Sequence, residues 1–358
     1  MSPSIAQDEL DSRVEQRTAF LNKAGWADVE LMPVGEDCAF RRYFRLRRGG
    51  ESVILMEAVP DASSFATPGH ALRDFVRISA YLRKAGLHTP EIYEADEITG
   101  YLLLEDFGDV SFQKALDTGE NPVQLYTLAT DILRKLQQEA GDIVLPDYYQ
   151  SHVHAGRRRI VDWYVPVWRK VKNPDGLVQD YLAVWDCIER TLPPCPQGFL
   201  HIDYHVENLM WRPQRERLAQ CGVLDFQGAM YGPLPYDLAN LLEDARRDVK
   251  PGLRTAMIAR YTTGMNGDDC AVFKSWYRVM ATQFHCRVAG QFIRLAVHDG
   301  KARYLQHLPR VIAYLRQGLE DPLLLPLRQW FTDQGVDFLS VPQIDIVHVK
   351  TLIRDDAF

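Results

Sequence analysis

The chain of 358 residues has a formal net charge of −7, with 46% hydrophobic and 25% charged residues. This balance is typical of a globular protein with one large domain or two moderate ones, and it excludes the disordered and fibrous classes. The acidic charge argues against a general nucleic-acid binder, and no apolar run approaches the roughly 18 residues of a membrane span, so we expect a cytoplasmic protein without a membrane or nucleic-acid partner.

The first 105 residues show the pattern of an antiparallel sheet with one inserted helix. Helical spacing of apolar residues ends at Gly25, and an extended segment over 29–34 follows. Two further extended segments flank the turn 48–51, whose paired glycines are typical of a hairpin. A helix over about 71–85 then precedes two short strands, the last of which ends at Glu105.

Beyond Ser111 the periodicity is mainly helical, interrupted by short strands and loops over 197–236. The sequence therefore predicts an α+β fold of two lobes. We expect a sheet lobe over 1–105 and a larger helical lobe over 106–358.

The richest chemistry lies in the two segments H-I-D-Y-H-V-E-N, at 201–208, and L-D-F-Q, at 224–227. Asn208 follows Asp203 by five positions, and Asp225 lies beyond a predicted hairpin. Phosphoryl transfer needs a carboxylate that orients the acceptor hydroxyl and oxygen ligands that hold Mg²⁺ on the nucleotide phosphates. The pattern supplies both. A zinc site at His201 and the histidine four positions on is not favoured, because no third ligand is evident.

In this order the residues resemble the catalytic core of the aminoglycoside phosphotransferase-like branch of the protein-kinase fold, with its H-x-D-x-x-x-x-N motif and following hydrophobic-Asp pair. The resemblance implies a two-lobed protein-kinase-like fold, ATP and Mg²⁺ as cofactors, and a small-molecule acceptor. It implies Asp203 as the catalytic base and Asn208 and Asp225 as metal ligands. It also implies that His201 braces the catalytic loop and that Asp237, in a Y-D-L-A segment, supports it.

The triplet D-F-G at 106–108 has the letters of a kinase metal-binding motif but precedes the catalytic loop, whereas that motif follows it. The resemblance instead implies that this stretch is the linker between the lobes. Backbone groups of Glu105, Asp106 and Phe107 are then candidates for contact with the adenine.

The sheet lobe departs from the kinase pattern at its phosphate contacts. The turn at 35–39, expected to cover the phosphates, has one glycine, and Met56 stands where a kinase has its phosphate-binding lysine. We expect Arg41 or Arg42, on the neighbouring strand, to take over that role; the alternative is a solvated strand face. The missing lysine also leaves open a nucleotide-binding pseudokinase that acts as a scaffold.

Within the family, residues 30–320 resemble the bacterial anomeric kinases of the cell-wall amino sugars N-acetylmuramate and N-acetylglucosamine, which serve peptidoglycan recycling. The resemblance implies phosphorylation of a C1 hydroxyl; the alternative acceptor is an aminoglycoside or another hydroxyl-bearing metabolite. The chain departs from the subgroup pattern at Cys38, Glu207 and Gly228. The segments that carry the resemblance are C-A-F-R-R-Y-F-R-L, I-L-M-E-A, L-L-E-D-F-G-D, D-Y-H, G-V-L-D-F-Q and Y-G-P.

A sugar acceptor needs hydrogen-bonding groups and an aromatic wall. The candidates are Trp163, in a stretch of arginines and aromatics, and the residues Arg287, Gln291 and Arg294, which share one face of a predicted helix. An arginine there could meet the carboxylate of an acidic sugar. The alternatives are a core role for the tryptophan and a solvated face for the helix.

Overall fold

The computed structural model describes residues 13–34, 41–61, 71–138 and 143–357. These residues form two compact units, the first within Met1–Ile143 and His201–Ala229 and the second within Val144–Leu200 and Met230–Phe358. The predicted lobe boundary after residue 105 groups the chain differently and stays a prediction. Among the described residues, no helix combines the length and apolar character needed to cross a bilayer.

The strands and helices follow one another in an order close to that predicted. The strands are β1 (Met32–Pro33), β2 (Arg41–Arg48), β3 (Glu51–Ala58), β4 (Ile92–Asp96), β5 (Tyr101–Glu105), β6 (Gln197–Leu200), β7 (Leu209–Trp211), β8 (Cys221–Val223) and β9 (Met230–Pro233). The helices are α1 (Val14–Lys23), α2 (Leu72–Lys84), α3 (Phe112–Asp117), α4 (Pro122–Gln138), α5 (His152–Ala155), α6 (Val165–Arg169), α7 (Leu177–Arg190), α8 (Pro235–Leu242), α9 (Pro251–Tyr261), α10 (Gly267–Val297), α11 (Leu308–Gly318), α12 (Leu325–Asp333) and α13 (Ile346–Leu352).

In the described part of the first unit, five antiparallel strands form a sheet in the order β1-β2-β3-β5-β4. The predicted β2–β3 hairpin is confirmed. Its turn residues Gly49 and Gly50 have positive φ angles of 55° and 90°, which glycine adopts without steric cost. The extended segment predicted over 29–34 is shorter than expected, since the strand covers Met32 and Pro33, and the N–H of Val34 donates to the carbonyl oxygen of Tyr43 at 2.9 Å. Proline lacks the N–H that a longer ladder needs, which confines β1 to the sheet edge.

The two faces of this sheet have different roles. Leu46 and Leu55 lie on the face that packs against α1, and both are completely buried. Full burial of a side chain of this size contributes about 1.5–3 kcal/mol. Because side chains alternate along a strand, Tyr43 and Arg45 project from the opposite face. That face borders the candidate site.

The second unit is mainly helical and is organised around α10, which has 31 residues. This helix packs against α8, α11 and a π-helical turn at Ile160–Tyr164. Strands β6 and β9 pair in an antiparallel ribbon that brackets residues 201–229 in the sequence.

Candidate active site

A cavity of about 340 Å³ opens in the first unit on the sheet face that bears Tyr43 and Arg45. Apolar side chains, including Leu104 and Met210, line one part of it. The predicted linker residues 105–107 and the predicted metal ligands, Asn208 and Asp225, line the rest. An apolar pocket with a few convergent polar groups is the usual form of a small-molecule site. Residues that are more than 100 positions apart in the sequence are therefore brought into one cavity.

The hairpin formed by β7 and β8 places the two predicted metal ligands side by side. In its register Leu209 pairs with Val223, and the N–H of Leu224 donates to the carbonyl oxygen of Asn208 at 2.9 Å. Asn208 immediately precedes the first strand and Asp225 lies just beyond the second. Both therefore stand at the same end of the hairpin, which confirms the hairpin predicted between them.

The segment before this hairpin presents Asp203 to solvent from a buried frame. Asp203 is exposed, whereas its neighbours Ile202 and Tyr204 are buried. The Tyr204 hydroxyl donates to the carbonyl oxygen of Ala129 at 2.9 Å. Ile202 has a φ of 79°, which is unfavourable for a β-branched residue, and such strain costs about 1–3 kcal/mol. Burial of the flanking side chains holds the loop in this strained form, with the carboxylate outward.

His201 connects this loop to the segment that carries Asp225. Its Nε2 lies 2.8 Å from the carbonyl oxygen of Leu224. Burial lowers the pKa of His201, and the nearby charges of Asp225 and Asp203 offset this only in part. The ring is therefore neutral at pH 7 and donates from Nε2. This contact is what the predicted bracing role requires.

The residues at the end of the hairpin fit a magnesium ion. The amide nitrogen of Asn208 donates to the carbonyl oxygen of Asp203 at 2.9 Å, so its Oδ1 is directed away from that bond. Asp225 has a φ of 59° and an exposed side chain, and Gln227 donates to one of its carboxylate oxygens. Carboxylate and amide oxygens are the hard ligands that Mg²⁺ prefers.

The linker side chains are engaged with the protein. Arg212 donates to Glu105 at 2.7 Å, and its guanidinium lies 4.3 Å from the centre of the Phe107 ring. Burial alone would raise the pKa of Glu105, but the bond and charge of Arg212 outweigh it and lower the pKa. Asp106 accepts two bonds from Arg45, at 2.6 and 2.9 Å. Because these side chains are committed, contact of this stretch with a ligand would fall to its backbone groups, of which the N–H of Glu105 already donates to the carbonyl oxygen of Glu91 at 2.8 Å. Its role as the linker stays a prediction.

The sequence reasoning did not identify Arg45 and Arg212 as residues that hold the linker. Alternation along β2 could have placed Arg45 on the cavity face, since Tyr43 shares that face. No local pattern indicates Arg212, because its partner Glu105 lies 107 positions earlier.

The structure distinguishes the two predicted phosphate contacts on β2. Arg42 lies on the face opposite the cavity, where it forms a buried ion pair with Glu57 at 2.9 Å. Arg41 shares the face of Tyr43, beside the strand β3 that carries Met56, and is 5% exposed. The geometry therefore favours Arg41 over Arg42. The turn predicted to cover the phosphates, at 35–39, lies outside the described residues.

The predicted acceptor residues belong to the second unit. Trp163 is completely buried, which favours the core alternative. Arg287 donates to the hydroxyl of Tyr236 at 2.9 Å, and Gln291 and Arg294 are half-buried on α10. Asp237, the predicted loop support, is buried on α8. The roles of these residues stay predictions.

Comparison with known proteins identifies the chain's relatives. Residues 30–270 match the model of the phosphotransferase enzyme family. The chain is 30% identical over 348 residues to a protein of Caulobacter vibrioides named N-acetylmuramate/N-acetylglucosamine kinase. The alignment covers 89% of this chain and 96% of that protein.

Two solved structures have the same fold. A choline/ethanolamine kinase family protein from Mesorhizobium loti superposes with a TM-score of 0.59 at 15% identity, over 90% of this chain and 98% of the other. An ADP-bound aminoglycoside phosphotransferase superposes with a TM-score of 0.53 at 11% identity, over 84% of this chain and 97% of the other. The predicted kinase-like α+β fold is confirmed. With the catalytic motif, the family model and the fold in agreement, the chain belongs to the phosphotransferase enzyme family and is a kinase.

Proposed function

We propose that this protein transfers the γ-phosphate of ATP to the anomeric hydroxyl of a cell-wall amino sugar, N-acetylmuramate or N-acetylglucosamine. The observation that carries the proposal is the convergence of Asp203, Asn208 and Asp225 at one end of the β7–β8 hairpin, beside the linker cavity. The sugar is inferred from the relative named as an N-acetylmuramate/N-acetylglucosamine kinase. Since the reaction draws on the cellular ATP pool, we place the enzyme in the cytoplasm.

In this proposal Asp203 orients the acceptor hydroxyl and takes its proton on the carboxylate. Its exposure allows a sugar to approach, and the buried anchors of the loop keep the carboxylate in place. Phosphoryl transfer depends mainly on such positioning and on electrostatic stabilisation. Asp203 is thus the residue whose loss should affect the chemical step most directly.

Asn208 and Asp225 are the residues that would hold Mg²⁺. Held by these two residues, the ion would supply positive charge that stabilises the nucleotide phosphates during transfer. Arg41 would contact the phosphates in place of the missing lysine, and the backbone of 105–107 would bind the adenine edge against the apolar wall of the cavity.

The decisive experiment offers ATP with N-acetylmuramate, N-acetylglucosamine and an aminoglycoside in parallel, and follows ADP release together with ³¹P NMR of the product. We expect turnover with an amino sugar, with loss of its reducing end because C1 carries the phosphate. Turnover with the aminoglycoside alone would overturn the proposal that the acceptor is a cell-wall amino sugar. Nucleotide binding without turnover on any acceptor would instead favour the scaffold alternative that Met56 raises.

A further inference from the structure

A second cavity, of about 420 Å³, lies within the second unit. Three arginines, Arg158, Arg159 and Arg294, line it together with the carboxylate of Asp162. The cavity is open to solvent and is bordered by α5, the 3₁₀ turn Gly156–Arg158 that follows it, α10 and Ala357. The charged part of its wall is therefore formed by three guanidinium groups and one carboxylate, beside small residues such as Ala155 and Gly156.

Two of the three arginines already have carboxylate partners. Arg158 donates to both oxygens of Asp162, at 2.9 and 2.8 Å. Arg294 lies 3.2 Å from Asp299. Arg159 differs: within the ranges that the structure describes, its guanidinium makes no hydrogen bond or ion pair. The cluster therefore holds more positive than negative charge.

The electrostatics of Arg159 reflect this imbalance. Burial lowers its pKa to about 10, and the positive charges of Arg287 and Arg294 add to the effect. Asp162 offsets the shift only in part. Arg159 nevertheless stays protonated at neutral pH. A bound anion would therefore offset the repulsion between its charge and those of the neighbouring arginines.

The backbone around Arg159 is held firmly in place. Gly290 of α10 faces the Arg159 carbonyl group so closely that a Cβ atom there would overlap it. A Cβ at Gly156 would lie 3.0 Å from the side chain of Arg287. Arg159 also stands at the junction between the 3₁₀ turn and the π-helical turn Ile160–Tyr164, and π-helical turns occur frequently at functional sites. The unpaired guanidinium is thus presented by a close-packed frame.

We infer that the cavity lined by Arg158, Arg159 and Arg294 is a binding site for a small oxyanion, a carboxylate or phosphate group. Guanidinium groups match both in geometry and charge, and two sources are open: the carboxylate of an acidic sugar or a free phosphate. The first source rests on the proposed function, since N-acetylmuramate carries a carboxylate that N-acetylglucosamine lacks. The second does not.

The test measures binding directly by isothermal titration calorimetry, with a saturating ATP analogue present to occupy the first cavity. The probes are N-acetylmuramate, N-acetylglucosamine and inorganic phosphate. The proteins are the parent, Arg159→Gln, and Arg190→Gln as a control at an exposed arginine of the same unit. We expect Arg159→Gln to weaken binding of one anion by about 10- to 100-fold, the usual range for a lost charge-assisted hydrogen bond, and the control to leave it unchanged.

Each outcome has a distinct meaning. Loss confined to N-acetylmuramate assigns the site to an acidic sugar, and loss for inorganic phosphate assigns it to a free phosphate. Equal binding of both anions by the parent and Arg159→Gln, or no anion binding by the parent, overturns the inference. Because no turnover is measured, a failed kinase assay leaves this result intact. Thermal unfolding without ligand checks the fold: removing an unpaired charge from a like-charged cluster should leave Tm unchanged or raise it.

Discussion

The Nε2 atom of His201 lies 2.8 Å from the carbonyl oxygen of Leu224, and so joins the start of the catalytic loop to the residue before Asp225. Because a carbonyl oxygen only accepts, the proton must be on Nε2. We predict that His201→Ala lowers kcat by about 10- to 100-fold and raises the Mg²⁺ concentration for half-maximal rate, as is typical for outer partners of metal ligands. Initial rates across a Mg²⁺ titration measure both. His348→Asn, at an exposed histidine, is the control, and equal rates for the two variants would contradict the prediction.

Substitution of the two carboxylates of the site should affect different steps, turnover for Asp203 and nucleotide binding for Asp225. Asp203→Asn should lower kcat by about 10²–10⁴ and leave the Kd of the nucleotide unchanged, because its carboxylate acts on the acceptor. Asp225→Asn should weaken Mg²⁺-dependent nucleotide binding. Turnover and calorimetric titration of ATP separate the effects. An Asp203→Asn rate within about threefold of the parent would disprove the role of this residue.

The neighbouring arginines of β2 form a matched pair. Arg41→Gln should raise the KM for ATP by about tenfold, because one charge-assisted contact to the phosphates is lost. Arg42→Gln should lower the free energy of unfolding by up to about 3–5 kcal/mol, because it breaks a buried ion pair with Glu57. Urea unfolding and ATP kinetics on both variants test the contrast. If Arg42→Gln raises the KM for ATP more than Arg41→Gln does, the assignment of the phosphate contact to Arg41 is wrong.

The packing of the linker against β8 can be tested with a single methyl group. A Cβ atom at Gly222 would lie well inside van der Waals contact with the ring of Phe107. Gly222→Ala should therefore displace the linker and weaken nucleotide binding by about tenfold or more, since overpacking typically costs about 1–3 kcal/mol. Gly252→Ala is the control, because nothing lies within 4 Å of a Cβ there. If both variants bind ATP like the parent, the linker does not depend on this contact.

Stability should fall in acid because of buried His154. Burial, assisted by the charge of Arg157, lowers its pKa to about 3. Below about pH 6.5 the unfolded chain takes up a proton at this histidine that the folded chain does not. The free energy of unfolding is therefore unaffected by His154 above that pH and declines as the pH falls toward about 3. We predict that His154→Gln reduces the pH slope of the unfolding free energy by about 1.4 kcal/mol per pH unit between pH 6 and 4. Urea unfolding at each pH measures the slope, and an unchanged slope would rule out His154 as its source.

Much of the fold and the core of the candidate site could be predicted from the sequence. The hairpins depend on strand alternation and turn glycines, and the short spacing of Asp203, Asn208 and Asp225 placed these residues together, whereas the linker was implied by the resemblance and stays a prediction. These are local properties, since each is specified by residues close together in the chain. That is why the β7–β8 hairpin could be predicted from the residues between Asn208 and Asp225.

Other features depend on contacts between distant residues, and only the tertiary structure decided them. Arg45 meets Asp106 across 61 positions, and Trp163 lies in the core rather than at a surface. The sequence showed a run of arginines at 157–159, but not that Arg159 lacks a partner in the structure as described. Pairing and burial follow from which side chains the fold brings together, and no periodicity along one strand or helix contains that information.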